Sequence, residues 1–102
     1  MFNSQVLKRL QKMQDDLKKV QAEINASTFY GQSGGSAVRV AVKGTKEVIS
    51  IDIKHAEVDV NDGKMLEELI IAALNDAFSK VDKEIEETMG ALTQEVNLAG
   101  ML

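Results

Sequence analysis

The chain contains no cysteine among its 102 residues. Disulfide bonds, thiolate metal sites and a cysteine nucleophile are therefore excluded. There is one histidine, His55, and a single imidazole cannot build a metal site by itself. No apolar run approaches the ~18 residues of a membrane span, and the start, MFNSQVLKRLQKMQ, is charged by its eighth residue, with no apolar stretch of signal-peptide length. These absences predict a soluble, cytoplasmic protein with no membrane partner. Length is also limited: the chain suffices for one domain with a modest core, and an elaborate function would need a second copy.

Positive charge is scarce as well. The formal net charge is -4, and on its own that argues against nucleic acid, whose affinity for proteins comes from clustered lysine and arginine. The distribution is more informative than the sum. Residues 1–35 hold Lys8, Arg9, Lys12, Lys18 and Lys19 against Asp15, Asp16 and Glu23, giving +2, whereas residues 61–102 hold three lysines and nine carboxylates, giving -6. The chain has a mildly basic front and an acidic back.

What is present is periodicity. Val6, Leu10, Met13, Leu17, Val20 and Ile24 step by 4, 3, 4, 3 and 4, a heptad seam that predicts a helix over about residues 4–26, with Ser4 or Asn3 as its N-cap. From Ser36 to Lys43 the period becomes two, with Val38, Val40 and Val42 on one face, which predicts a half-buried strand. Gly44, Thr45 and Lys46 supply a hairpin turn, after which Ile49, Ile51 and Ile53 are expected to form a second inward-facing row. Two strands rarely suffice in water, so residues 28–32 are expected to add a third, making an antiparallel sheet over residues 28–54.

Asp62 is placed to cap a second helix running from about residue 63 to 93, followed by a loose tail over 94–102. This helix carries two apolar series: Leu66, Ile70, Ala73 and Ala77 on one face, then Ile71, Leu74, Phe78, Val81, Ile85, Thr88 and Leu92 at heptad spacing. A helix apolar on two sides at its start and one side later packs on a sheet first and on another helix afterwards. The predicted class is α+β, in the order α-β-β-β-α, within a single domain over residues 1–102. The first helix enters the sheet at its C-terminus and the second leaves at its N-terminus, so both would project as antiparallel arms. Such a sheet is incompletely covered, and a symmetric homodimer, joined sheet to sheet or edge to edge, is the simplest remedy.

No constellation for catalysis emerges. GQSGGS, residues 31–36, lacks the lysine that ends a phosphate-binding loop and precedes a strand where such a loop must open a helix. Its glycines are read as turn formers. His55 has no serine, cysteine or paired carboxylate placed beside it by local spacing. Glu67 with Glu68, and Glu84 with Glu86 and Glu87, lack the alternating oxygen ligands and glycine of a calcium loop and read as a solvated helix face. No metal, no cofactor and no enzymatic activity are expected. The first helix leaves two readings open: Lys8, Lys12 and Lys19 share a stripe that could contact phosphates, or Lys12–Asp16 and Asp15–Lys19 pair at i, i+4 and merely support the helix.

Taken in order, LKRLQKMQDDLKKVQAEI, the turn and strand GQSGGSAVRVAVKG, an isoleucine strand ending IDI, and LEELIIAALNDAFSKVDKEIEETM resemble the YbaB/EbfC family of small bacterial nucleoid-associated proteins. The resemblance covers nearly the whole chain, and its most specific part is residues 66–77, similar to the family's L-x-x-L-I-x-A-A-x-N-D-A helix. It implies a tweezer-like homodimer whose sheets form the core and whose helices protrude to bind double-stranded DNA in the nucleoid. Carried over by position, the implied DNA-facing residues are Lys8, Arg9, Lys12, Lys18 and Lys19 on the first arm and Lys80 and Lys83 on the second, acting by phosphate neutralisation. The second arm departs from this pattern by setting Asp82, Glu84, Glu86 and Glu87 around its two lysines. The alternative is a protein interaction module that docks a basic protein partner on its acidic helix, or a partner helix on its seams.

Overall fold

The computed structural model describes residues 4–98, with side-chain surroundings described for residues 4–91. Ser4–Ala26 forms helix α1 over the span that its heptad seam predicts. The seam side chains Val6, Leu10, Met13, Leu17 and Val20 are half-buried, and the series ends on the buried Ile24. Ser27 terminates the helix: its N–H donates to the Ile24 carbonyl at 3.0 Å and its hydroxyl to the Glu23 carbonyl at 2.7 Å. Two last-turn acceptors thereby find partners. Of the two expected N-caps, Ser4 is the first residue of the helix and Asn3 lies outside the described residues.

Three strands follow, β1 (Thr28–Ser33), β2 (Val38–Lys43) and β3 (Val48–Ile53), in an antiparallel sheet of order β1-β2-β3. Gly34 and Gly35 turn the first hairpin at φ 58° and 71°, values that a Cβ disfavours. The second turn closes with the Lys46 N–H donating to the Lys43 carbonyl at 2.8 Å and places Lys46 itself at φ 70°. Register pairs Gly31 with Val40 and Val40 with Ile51, so Phe29, Gly31, Val38, Val40, Val42, Ile51 and Ile53 share one face.

The third strand corrects an expectation. An irregularity between Ala41 and Val42 places Val48, rather than Ile49, opposite Val42, so Ile49 is the extra residue of the bulge and leaves the inward row. Even the correctly faced Ile51 is 41% exposed, and Val48 and Ile49 are exposed as well. The cause is the path of the second helix, which crosses β1 and β2 and leaves β3 uncovered.

Helix α2 (Gly63–Leu98) begins at Asp62, whose carboxylate accepts the Met65 N–H at 3.1 Å while its carbonyl accepts the Leu66 N–H at 3.1 Å, the predicted cap. It continues through Gly90 to Leu98, which corrects the expected end near residue 93. Residues 94–98 of the expected tail are helical, and 99–102 lie outside the described residues. A glycine costs a helix about 1 kcal/mol relative to alanine, too little to stop one of 36 residues.

The core is a layer of α2 on β2. Ala73, Ala77 and Val81 meet Val38, Val40 and Val42, all essentially solvent-free, with Phe29, Leu69, Ile70, Leu74, Phe78 and Ile85 at the margin. Of the two apolar series expected on α2, the second starts on a surface position, Ile71, which is 56% exposed. Two glycines set the helix positions. A Cβ at Gly31 would overlap the Ala73 carbonyl, and one at Gly44 would overlap the Ile24 carbonyl. The radius of gyration is 19.8 Å, against about 13 Å for a compact chain of this size. The molecule measures 68 × 21 × 17 Å, because both helices run on past the sheet.

Candidate nucleic-acid interface

Both arms leave the same end of the sheet. Gly44, at the end of β2, holds the end of α1 through its N–H, which donates to the Ser27 carbonyl at 3.1 Å. At that end Lys46 in the β2–β3 turn reaches Asp82 of α2, Nζ to Oδ1 2.9 Å. Val20, Ile24 and Phe29 then line a shallow cleft with Glu84 and Thr88 of α2 where the arms part from the sheet. From there α1 presents its seam inward. Lys8, Lys12 and Lys19, one helical face apart from that seam at about 100° per residue, face outward.

All five cations of α1, Lys8, Arg9, Lys12, Lys18 and Lys19, are exposed. None is held by a carboxylate: among the described residues the ion pairs are Lys43–Glu47, Lys46–Asp82 and Lys80–Asp76. The i, i+4 pairs Lys12–Asp16 and Asp15–Lys19, one of the two readings open from the sequence, are therefore not formed. Exposed lysines at this spacing gain little from pairing, since each pair is worth only a few tenths of a kcal/mol against the entropy of two long side chains.

The two cations of the second arm differ. Lys80 turns back to the sheet, its Nζ 2.7 Å from the Tyr30 carbonyl and 3.6 Å from Asp76 Oδ2. Lys83 is exposed and unpaired on a helix face shared with Glu86, Glu87, Gly90 and Ala91. Of the four carboxylates around these lysines, Asp82 is neutralised by Lys46 and Glu84 accepts the Thr88 hydroxyl at 3.2 Å. Glu86 and Glu87 remain solvated.

Sequence spacing could not reveal the Lys46–Asp82 pair, which joins residues 36 positions apart across the fold. Nor did it single out Arg39, whose guanidinium lies 4.8 Å from the Tyr30 ring centroid on the sheet face away from α2. Among the described residues no group of three His, Asp or Glu side chains is placed to share a cation, and no helix is long and apolar enough to cross a membrane.

Comparison with known proteins gives a consistent picture. The sequence model of the YbaB/EbfC DNA-binding family matches residues 1–96. A nucleoid-associated protein of Pelotomaculum thermopropionicum is 38% identical over 96% of this chain and 93% of its own length. One of Clostridium novyi is 42% identical over 94% of this chain and 84% of its own length. The crystal structure of an uncharacterized protein from Helicobacter pylori superposes with a TM-score of 0.75 at 20% identity, covering 91% of this chain and 98% of that one. That likeness is one of fold, the same α-β-β-β-α arrangement.

Proposed function

The chain belongs to the YbaB/EbfC DNA-binding family, and we propose on that footing that it is a nucleoid-associated protein binding double-stranded DNA as a homodimer, mainly through phosphate contacts from its protruding helices. The observation that carries this reading is the set of five exposed, unpaired cations on α1. A cation already engaged by a carboxylate gives up that partner when it meets a phosphate, whereas these five release only the DNA's counterions. Lys83 adds to them from α2, and Lys80 adds least because its ammonium is already satisfied by Tyr30 and Asp76. Lys46 assists indirectly by cancelling Asp82 at the arm's base.

Such contacts fix a protein on the duplex without reading bases. No aromatic side chain stands on the outer face of either arm to stack on single strands, so duplex is the favoured substrate. The homodimer is supported by β3, an edge strand carrying exposed Val48, Ile49 and Ile51. An apolar edge of this kind is a template for another strand.

The test is fluorescence anisotropy of a labelled duplex titrated with the full chain at about 50 and 200 mM salt. Binding that weakens steeply with salt is expected. No binding at the lower salt would sink the reading and leave the exposed carboxylates of α2 as a docking face for a basic protein.

A further inference from the structure

We propose that Asp76 and Lys80 seal the β1 edge of the sheet, so that pairing through β3 with a second copy ends in a closed pair of chains instead of an open filament. This rests on the homodimer proposed above and adds what stops its growth.

A three-stranded sheet has two edges, and here they are treated differently. On β1 the Gln32 N–H donates to Asp76 Oδ2 at 3.0 Å, and the Tyr30 carbonyl accepts the Lys80 ammonium at 2.7 Å. A carbonyl and the N–H two residues later point to the same side of a strand. The bond from the Gly44 N–H to the Ser27 carbonyl sets the phase of the β1–β2 ladder so that Gly31 bonds inward to Val40, and the side that Tyr30 and Gln32 share is the outer edge. Asp76 and Lys80 are one helical turn apart and 3.6 Å from each other, so the two bonds act as a single clamp that uses the donor and acceptor another strand would need. The clamp reaches the edge only because α2 lies directly on β1 at Gly31, where the Ala73 carbonyl leaves no space for a Cβ. The Ser33 hydroxyl, bonded to the Leu69 carbonyl, fixes the same helix one turn earlier.

No such cover lies on β3. The Lys54 N–H donates to the Ala37 carbonyl at 2.8 Å, which sets the phase of the ladder: Asp52 and Ser50 bond inward to β2, and the backbone groups of Ile51 and Ile53 point to the open side. Among the described residues no hydrogen bond crosses that side. The exposed Val48, Ile49 and Ile51 give it an apolar surface to bury. The occupant that fits is β3 of a second copy, related by a two-fold axis, because that arrangement covers both apolar edges at once and closes. The joined sheet then carries a clamped β1 at each end.

The experiment compares the mass in solution, by size-exclusion chromatography with light scattering over a range of concentrations, of the wild-type chain and the double variant Asp76→Ala/Lys80→Met, with far-UV circular dichroism as a check of folding. The wild type should level off at two copies, and the double variant should exceed it by about twofold or more as β1 edges join closed pairs. If the double variant is unfolded, Lys80→Met alone, which keeps the aliphatic stem and removes the bond to Tyr30, should show the same growth. A folded variant that stays at the wild-type mass at every concentration overturns the clamp. A wild type that remains a single copy overturns the dimer instead, and the clamp is then decided by whether the variant grows beyond one copy.

Discussion

Gly31 of β1 lies against the backbone of Ala73 on α2, so close that a Cβ on the glycine would overlap the alanine's carbonyl oxygen and stand 2.5 Å from the Ala77 nitrogen. The colliding atoms are helix backbone, which cannot rotate aside as a side chain can. Gly31→Ala should therefore lift α2 off the sheet and cost on the order of 1–3 kcal/mol or more. For a domain of this size each kcal/mol lowers the melting temperature by roughly 4–8 °C, so a thermal melt reads the effect directly. An unchanged melt would mean that the helix is not seated as described.

Reversal of charge on α1 separates binding from folding. Lys8, Arg9 and Lys12 are exposed and hold no carboxylate, so replacing all three by glutamate should leave the melt and the oligomeric state nearly unchanged. Binding to a labelled duplex should be lost at about 200 mM salt, and at low salt its salt slope should fall by roughly one for each phosphate contact removed. Binding unchanged from wild type would show that α1 is not the contacting surface.

The β3 edge predicts an asymmetry between stability and assembly. Ile51 is 41% exposed within one chain, so Ile51→Lys should cost a single chain little, while a charge on the joining strand should disfavour the pair. Analytical ultracentrifugation should show the variant dissociating to single chains at concentrations where the wild type does not. A variant that stays paired would place the contact elsewhere.

Lys46 combines a strained backbone with a charge pair. Its φ of 70° is a left-handed conformation, which costs a residue with a Cβ roughly 1–2 kcal/mol, while its half-exposed pair with Asp82 at 2.9 Å returns at most about 1 kcal/mol. Lys46→Ala loses the pair and keeps the strain, whereas Lys46→Gly loses the pair and relieves it. The glycine variant should therefore be more stable than the alanine variant by about 1 kcal/mol in denaturant unfolding. Equal stabilities would argue against strain at this turn.

Much of this was legible in the chain because the signals were local. The α1 seam, the Val38, Val40 and Val42 alternation, and Asp62 before a periodic run each depend on residues within a few positions of one another, and each predicted element forms. The family's residue order was legible for the same reason, and the family model covers residues 1–96. Gly90 misled, since its weakness as a helix former is outweighed by good helix formers on both sides. Ile49 misled because a bulge belongs to the pairing of β2 with β3, which the alternation of one strand does not show.

Composition and short-range spacing are enough to place the two helices and three strands, short of the last turns of α2, and to set the lopsided charge and the absence of cysteine chemistry. Which charges are free depends on how the elements pack in three dimensions. Lys80 is drawn to a β1 carbonyl 50 residues away, Lys46 to a carboxylate 36 residues away, and the α1 lysines to nothing. Pairing of that kind depends on where α2 crosses the sheet, and that crossing is set by close packing at Gly31, a contact that no local pattern encodes.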